Sequence, residues 1–235
     1  AQLVRANQAL AHYCLAYDLP CISGKDSMKN DYIHGSMKIS IPPTLLFSVL
    51  GKMNDVRKAV TMDAKKAGDY VFILGMTHDE LGGSEYYASL GYVGNNVPRV
   101  NAAEARELYK ALSESMELGL ISSCHDCSDG GLGVSLAETA FAGGLGVEID
   151  LRHAPTSGLT RNDTIMFSES QSRFIVTVNP SHTGKFRDIM RNLPVGCLGR
   201  VIEGPTFTIT GLKGQAVVST TISALKKAWQ KTLNW

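Results

Sequence analysis

The sequence lacks a long apolar run and lacks any block of charge of one sign. Its 235 residues include 23 basic and 22 acidic side chains, which gives a formal net charge of +1. A nucleic-acid-binding domain commonly carries a basic patch, and a membrane-spanning helix needs about 20 consecutive apolar residues. We therefore expect neither nucleic acid nor a membrane among the partners of this chain.

Cysteine is scarce and odd in number, at five residues. An odd count without a secretory pattern favours the reducing cytoplasm. Cys124 and Cys127 form a Cys-x-x-Cys, but no second pair of cysteines or histidines follows at zinc-finger spacing, so we expect neither zinc nor redox work there. We expect His125 between them to pack or to form a hydrogen bond. The other three cysteines lie in apolar contexts typical of core thiols.

Strand and helix patterns alternate along the chain, of which 44% is hydrophobic and 19% charged. The predicted helices are Leu3 to Tyr17, Asn54 to Val60, Tyr86 to Ser89, Ala102 to Gly119, Leu132 to Ala142, His182 to Asn192 and Ile222 to Leu233. The predicted strands are Leu19 to Ile22, Thr44 to Lys52, Tyr70 to Gly75, Val147 to Leu151, Phe174 to Val178, Val195 to Val201 and Thr206 to Thr210. This order predicts a layered α+β or α/β fold.

One polar loop, His125 to Leu132, lies between an apolar segment and a predicted helix. Two adjacent glycines, Gly130 and Gly131, permit close approach of the backbone to a ligand, and Ser128 or Asp129 can cap the helix, whose N-terminal amides favour an anion. Asp126 could bind Mg²⁺, and Ser128 could contact a phosphate or a ribose. An ordinary capped turn is the alternative.

A second polar loop follows the predicted strand Leu19 to Ile22. Gly24 allows close approach of the backbone, and Lys25 is a candidate phosphate partner. Asp26 is a candidate metal ligand, and Ser27 offers a hydroxyl. A solvated turn with routine charges explains these residues equally well. A third polar segment, 168–173, directly precedes a predicted strand, where a charged strand edge is the simpler interpretation.

Four motifs together resemble the second half of the phosphoribosylformylglycinamidine synthases, within the aminoimidazole ribonucleotide (AIR) synthetase-like superfamily. They are Gly-Lys-Asp-Ser-Met from Gly24, Leu-Gly-Gly-Ser-Glu-Tyr from Leu81, His-Asp-Cys-Ser-Asp-Gly-Gly-Leu from His125 and Phe-Ser-Glu-Ser-Gln-Ser-Arg from Phe167. They occur in the order found in the family, and the resemblance covers nearly the whole chain. Four motifs in register are far more specific than any single motif.

The resemblance implies an AIR synthetase-like fold in three parts. Residues 1–66 would be the C-terminal part of the second A domain, 67–212 a complete B domain, and 213–235 a helical tail. It implies that Mg²⁺ and ATP or ADP are bound, with Asp126 and Asp26 as metal ligands. Nucleotide contacts would come from Gly24, Lys25, Ser128, Gly130 and Gly131, and substrate contacts from Ser27, Glu169, Ser170 and Gln171. Lys25 stands where short forms of the enzyme carry Asn, and an ammonium cannot ligate a metal, so it would contact phosphate.

The implied reaction is the ATP-dependent amidation of formylglycinamide ribonucleotide. No Ser-His-Asp or Cys-His arrangement suits a glutaminase, so ammonia would come from glutamine through another domain or subunit. The implied partners are the remaining domains of the synthetase and a second copy, paired through the A domain. This chain alone would then be inactive.

Two other interpretations stay open. One is a different ATP-using member of the superfamily, such as AIR synthetase, a selenophosphate synthetase or a thiamine monophosphate kinase. The loop from Gly24 to Met28 and the segment 168–173 argue against these. The other is a noncatalytic half that holds a nucleotide or only forms an interface.

Overall fold

The computed structural model describes residues 2–25, 27, 30–42 and 44–233. The chain divides into two compact units, one ending at Asn54 and the other beginning at Asp55. We call them the N-terminal unit and the C-terminal unit. Within the described residues, no helix combines the length and the apolar character needed to cross a membrane.

The N-terminal unit contains one helix and one β-hairpin. Helix α1 spans Gln2–Tyr17 and confirms the helix predicted from the first apolar stripe. Strands β1 (Asp31–His34) and β2 (Met37–Ser40) pair antiparallel. The hairpin was not predicted from the sequence, because its strands are only four residues long.

Two strands predicted in this unit are wrong. The segments Leu19 to Ile22 and Thr44 to Lys52 have no regular structure where they are described. Their apolar side chains are largely exposed, with 83% of Ile22 and 91% of Leu46 accessible to solvent. A strand requires a hydrogen-bonding neighbour. The described residues of this unit form only the β1–β2 sheet, and neither segment pairs with it.

The C-terminal unit is built on a seven-stranded mixed sheet. Its strands are β3 (Tyr70–Leu74), β4 (Ser123–Asp126), β5 (Gly146–Asp150), β6 (Phe174–Val178), β7 (Val195–Ile202), β8 (Thr206–Thr210) and β9 (Ala216–Thr221). Their order across the sheet is β4-β6-β3-β7-β5-β8-β9. All neighbouring pairs are antiparallel except β5 and β8, which run parallel.

Strand β3 lies inside the sheet and is apolar on both faces. Val71 and Ile73 pack into one hydrophobic cluster, whereas Phe72 and Leu74 pack into another on the opposite face. Because both faces are covered, the strand is a continuous apolar run without alternation. The strand predicted from Tyr70 to Gly75 is therefore confirmed.

Helices cover both faces of this sheet. The helices of this unit are α2 (Glu85–Ser89), α3 (Ala102–Glu117), α4 (Gly131–Gly143), α5 (Asn162–Phe167), α6 (Thr183–Ile189) and α7 (Ile222–Gln230). Residues of α4, α5 and α7 belong to the first hydrophobic cluster or pack against it, and residues of α3 and α6 belong to the second. Short 3₁₀ turns occur at Val56–Lys58, Leu151–His153, Pro180–His182 and Lys231–Leu233.

Most predicted elements of this unit are confirmed, but two differ. The helix predicted from Asn54 to Val60 is only a 3₁₀ turn, capped by Asp55, whose side chain accepts from the amide of Arg57. The segment 213–235, predicted to be a helical tail, begins with β9, so only its second half is helical. Strand β9 carries mainly small and polar residues, so apolar and polar side chains alternate only weakly along it. Because strands are predicted from this alternation, the sequence did not indicate β9.

The aromatic contact between α6 and β3 provides a test of this arrangement. Phe186 is completely buried, and its ring centroid lies 5.1 Å from that of Phe72. Phe186→Ala should lower the free energy of unfolding by about 3–5 kcal/mol, because it removes the aromatic ring and leaves a cavity. Phe47→Ala is the matched control, since 55% of Phe47 is exposed, and should cost less than about 1 kcal/mol. Denaturant unfolding followed by circular dichroism measures both, and equal losses would contradict the burial of Phe186.

Candidate functional site

Three polar loops leave the sheet at the same end. Strand β6 lies between β3 and β4, and its first residue, Phe174, is opposite Leu74 of β3 and Asp126 of β4. The loop that enters β6 (168–173) therefore meets the loops that leave β3 (75–84) and β4 (127–130). This convergence follows from antiparallel pairing and brings together three of the four motifs, those that begin at Leu81, His125 and Phe167.

Arg173 connects the first two of these loops. It is 1% exposed, and its guanidinium donates to the carbonyl oxygen of Ser170 at 2.9 Å, to Oγ1 of Thr77 at 3.1 Å and to the carbonyl oxygen of Ser168. Burial lowers the pKa of Arg173 from its ordinary value. A buried guanidinium needs all its donors satisfied, and these acceptors hold the 168–173 segment in one shape.

Ser168 and Ser170 also fix the 168–173 segment, through hydrogen bonds to the loop that leaves β3. Oγ of Ser168 donates to the carbonyl oxygen of His78 at 2.6 Å and accepts from the amide of Glu80 at 2.9 Å. Oγ of Ser170 accepts from the amide of His78 at 3.0 Å. Both serines are buried, so the predicted substrate residue Ser170 has a structural partner inside the protein. The polar run 77–80 was missed in the sequence, although it follows a buried strand as the other loops do.

Glu169 lies at the N-terminus of α4, where the sequence predicts that backbone amides favour an anion. Its Oε1 accepts from the amide of Gly130 at 2.8 Å and from the amide of Glu85 at 2.9 Å. These amides lie at the N-termini of α4 and α2, where the helix dipole favours negative charge. A carboxylate of the protein itself therefore provides the negative charge at this point.

The predicted cap of α4 is wrong. The N-cap residue is Gly130, whose backbone is left-handed with φ of 77° and which has no side chain that could cap the helix. Ser128 and Asp129 do not cap it. Gly130 can adopt this φ at no steric cost, and Glu169 supplies the acceptor from a distant segment.

Gly131 is required for packing against the chain itself. Its φ is 61°, and a Cβ at this position would overlap the carbonyl oxygen of Ser168. The close approach predicted for a ligand is made here by the 166–168 backbone. Gly24, in contrast, lies in an open loop, where a Cβ would meet no atom of the described residues within 4 Å.

Asp126 ends β4 with an exposed carboxylate. Its side chain is 60% accessible, and its Oδ2 accepts from the hydroxyl of Ser128. The Ser128 hydrogen bond is the largest influence that lowers the pKa of Asp126 below its usual value. The imidazole of His125 lies 3.4 Å from Oδ1 of Asp126 and 2.8 Å from Oε2 of Glu138 on α4. His125 thus forms polar contacts, as the sequence predicted, and Glu138 was missed.

Of the remaining predicted site residues, one belongs to the 168–173 segment and the others to the N-terminal unit. Gln171 is exposed, and its side-chain amide donates to the carbonyl oxygen of Glu169 at 3.1 Å. In the N-terminal unit, the ammonium of Lys25 donates to Oγ of Ser27 at 3.2 Å, and both residues are exposed. Asp26 lies outside the described residues.

Among the described residues, no group of three or more His, Cys, Asp or Glu side chains could hold a metal ion alone. All five cysteines are free thiols. Burial raises the pKa of Cys124 to about 12, and burial also raises the pKa of Cys127, so neither is a ready thiolate. The prediction of three core thiols is wrong for Cys21, which is exposed, while Cys14 and Cys197 are half-buried.

A shallow groove of about 530 Å³ is lined mainly by residues of β5, β7 and β8, and none of its lining residues belongs to the three loops. Glu148, Asp150 and Thr208 line it, and Glu148 is paired with Arg200 at 3.0 Å. None of the predicted site residues is among its lining residues.

Family membership follows from the sequence and agrees with the fold. The pattern of the family described as "AIR synthase related protein, C-terminal domain" matches residues 66–211, which is more than half of the chain. The chain therefore belongs to this AIR synthase-related family.

Individual proteins that resemble this chain include subunits of phosphoribosylformylglycinamidine synthase. The phosphoribosylformylglycinamidine synthase subunit PurL of Alkaliphilus metalliredigens is 37% identical over 227 residues, which are 95% of this chain and 29% of that protein. PurL of Deinococcus radiodurans is 33% identical over an alignment of 238 positions that covers 99% of this chain and 32% of that protein. The chain thus spans less than a third of the length of these relatives.

Solved structures confirm the fold class. T. maritima PurL complexed with FGAR has a TM-score of 0.65 at 23% identity, covering 72% of this chain and 30% of that one. T. maritima PurL complexed with ATP has a TM-score of 0.59 at 24% identity, covering 72% and 27%. At these identities the likeness establishes the AIR synthase-like fold.

The packing role of Gly131 can be measured against a second glycine. Gly144, at the other end of α4, has φ of 69° and open space at its Cβ position. Gly144→Ala should cost about 1–2 kcal/mol from the left-handed backbone alone. Gly131→Ala should cost a further 1–3 kcal/mol or so, because its methyl group would also displace the Ser168 carbonyl. Thermal and denaturant unfolding compare the two, and equal costs would show that Gly131 has free space beside it.

Proposed function

We propose that this chain is part of a phosphoribosylformylglycinamidine synthase of purine biosynthesis. The proposed reaction of the whole enzyme is the ATP-dependent amidation of formylglycinamide ribonucleotide, with ADP and phosphate as the other products. The observation that carries the proposal is 37% identity to a PurL subunit over 95% of this chain. Ammonia would derive from glutamine in a separate glutaminase domain or subunit.

The proposed domain division is the end of a second A domain at 1–66, a B domain at 67–212 and a tail at 213–235. The family match over 66–211 supports the extent of the B domain. The sheet of seven strands and the helices on its two faces lie within the C-terminal unit. We assign the three convergent loops to this B domain.

We assign Mg²⁺ to Asp126 and a nucleotide contact to Ser128. An exposed carboxylate with a lowered pKa is charged at neutral pH and is a hard oxygen ligand. Mg²⁺ commonly takes one or two carboxylates, with waters and nucleotide phosphates completing its shell, so a single protein ligand is compatible with binding. Bound Mg²⁺ would neutralise phosphate charge during phosphoryl transfer. The hydroxyl of Ser128 would then orient the carboxylate or donate to the ligand.

The remaining assignments divide between the two units. In the C-terminal unit, Gly130 and Gly131 shape the loop beside the nucleotide, and Glu169, Ser170 and Gln171 belong to the proposed substrate segment. Glu169 already accepts two backbone amides and Ser170 is buried, so within this segment Gln171 is the side chain most open to a ligand.

In the N-terminal unit, Gly24, Lys25 and Ser27 remain proposed contacts of nucleotide and substrate, with Asp26 as a metal ligand. The ammonium of Lys25 is a suitable partner for phosphate, and it donates here to a neutral hydroxyl, that of Ser27. A phosphate that binds the ammonium of Lys25 would therefore displace only this weak hydrogen bond to Ser27.

The proposed partners are the remaining domains of the synthetase and a second copy paired through the A domain. Apolar side chains of the N-terminal unit support an interface, because many are largely exposed: Leu45, Leu46, Phe47, Val49 and Leu50. Exposed apolar patches of this kind mark protein contacts. The five free thiols accord with the proposed location in the cytoplasm.

A noncatalytic, nucleotide-holding half is the second candidate. The contact of Glu169 with the amides of Gly130 and Glu85 favours it, because an intramolecular carboxylate already stabilises these helix N-termini. An arriving phosphate would have to use other donors or displace Glu169. Binding without turnover is the behaviour that this candidate predicts.

Asp126→Asn tests the metal assignment. The amide keeps the size and an acceptor for Ser128 but removes the charge that a hard cation needs. The affinity for ATP with Mg²⁺ should fall at least about tenfold, or roughly 1.4 kcal/mol. Asp129→Asn is the matched control, because it removes a neighbouring exposed charge, and it should change the affinity much less. Isothermal titration with and without Mg²⁺ measures both.

The melting temperature of the ligand-free chain distinguishes a metal-binding role of Asp126 from a structural role. Asp126→Asn should leave it nearly unchanged, because the exposed carboxylate contributes little to folding. If the variant unfolds while the folded remainder binds as before, Asp126 is structural and the metal assignment is wrong.

The purified chain should not convert formylglycinamide ribonucleotide with ATP and ammonia, because the proposed active site also needs domains from outside these 235 residues. Product formation, measured by chromatography, would contradict this expectation. Titration of ATP with Mg²⁺ on the same sample is the parallel control, since binding without turnover is the expected result.

A further inference from the structure

Two cysteines of the N-terminal unit face each other. Cys14 lies in the last turn of α1, and Cys21 follows seven residues later. Their Sγ atoms are 3.5 Å apart. A disulfide bond has an S–S distance of about 2.05 Å, so closing it requires an approach of roughly 1.5 Å.

The end of α1 produces this proximity. Asp18 has a left-handed backbone with φ of 56°, and its amide donates to the carbonyl oxygen of Leu15 at 3.3 Å. The amide of Leu19 donates to the carbonyl oxygen of Cys14 at 2.9 Å. These two bonds are the pair that defines a Schellman turn, which reverses the chain at a helix C-terminus. Cys21 is thereby carried back beside the last turn of α1.

The segment beyond this turn can supply the remaining movement. Residues 19–25 have no regular structure, and Cys21 is exposed. Its backbone is therefore not held in a sheet or a helix, and small torsional changes can move its sulfur toward Cys14. The half-buried Cys14 belongs to a hydrogen-bonded helix and provides the fixed partner.

The other three cysteines are less suited to this chemistry. Cys127 is buried, and the thiols of Cys124 and Cys127 have raised pKa values because of burial. Cys197 lies in β7 and packs partly against the second hydrophobic cluster. The thiolate is the reactive form of cysteine, and access decides its rate. The exposed Cys21 is thus the thiol that a reagent reaches first.

We propose that Cys14 and Cys21 are a dithiol site that forms a reversible intramolecular disulfide with a small disulfide oxidant of the glutathione disulfide class. The deprotonated sulfur of Cys21 attacks one sulfur of the oxidant, which breaks its S–S bond and releases one glutathione thiolate. The deprotonated sulfur of Cys14 then attacks the sulfur of Cys21 in the mixed disulfide and releases the second glutathione thiolate. The two thiol protons pass to the released thiolates through water. The protein loses two electrons, and one glutathione disulfide becomes two glutathione thiols.

The proposal does not depend on the proposed function. It predicts a closed ring of residues 14–21, directly before the loop of Gly24, Lys25 and Ser27. The hydrogen bond between the two thiols raises the pKa of Cys14, which accords with Cys14 acting second, after the attack by the more exposed thiol.

Mass spectrometry of the whole 235-residue chain tests the site. The folded protein is incubated with glutathione disulfide, quenched with acid, alkylated under denaturing conditions and digested with trypsin. A single tryptic peptide, from Ala6 to Lys25, contains both cysteines. In the wild type it should lose two hydrogen atoms and take up no alkylating group, and reduction before alkylation should restore two alkylated thiols. Peptides with Cys124, Cys127 and Cys197 should stay alkylated.

Two variants define the order of the steps. Cys14→Ser should stop at the mixed disulfide, so that glutathione accumulates on Cys21, because the resolving thiol is absent. Cys197→Ser, the matched control, should form the ring as the wild type does. A wild-type chain that keeps both thiols, accumulates glutathione on Cys21 or forms disulfide-linked dimers would overturn the proposal. Circular dichroism of each sample confirms that the reacting chain is folded.

Discussion

The buried guanidinium of Arg173 is the interaction on which the site depends. It donates to two carbonyl oxygens of its own loop and to the hydroxyl of Thr77 on the loop after β3. A charge with 1% exposure is tolerated only when its donors are satisfied and opposite charges lie nearby. Glu80 and Glu169 provide the nearby negative charge. Removal of any of these partners would leave a buried polar group without compensation, so the loops have one stable arrangement.

Glu169 extends this arrangement to the helices. Its carboxylate lies beside the N-termini of both α2 and α4, and therefore connects the loop before β6 to two other segments. A phosphate bound at the same amides would compete with it. The site is consequently organised before any ligand arrives, and the open positions are the exposed side chains around it, Asp126, Ser128 and Gln171.

The sequence predicts those parts of the structure in which local pattern and burial agree. The strand predicted from Tyr70 to Gly75 and the helix predicted from Ala102 to Gly119 are both confirmed, and in the structure the side chain of Asn101 caps that helix. The apolar run 44–52 has the same appearance but no strand partner among the described residues of its unit. Pattern shows that a segment prefers burial, and it does not show what will cover it.

The same limit applies to the candidate site. The motifs around Asp126 and Glu169 were recognised as polar loops at strand ends, and the structure brings them together. The cap of α4 was misassigned to Ser128 or Asp129 because capping rules consider neighbours, whereas the acceptor, Glu169, is 39 residues away from Gly130. Gly131 likewise has a neighbour, the carbonyl of Ser168, that becomes visible only in three dimensions.

The strand order also constrains how the chain can be assembled. Both neighbours of β3 in the sheet, β6 and β7, are made about a hundred residues later, and within the described sheet the only neighbour of β4 is again β6. A growing chain that has reached α5 therefore has β3 and β4 without strand partners. Long-range pairing of this kind slows folding, because loop closure precedes any gain from contact. The arrival of β6 pairs both strands in one step, and it delivers Arg173 and Glu169 to the other two loops at the same moment.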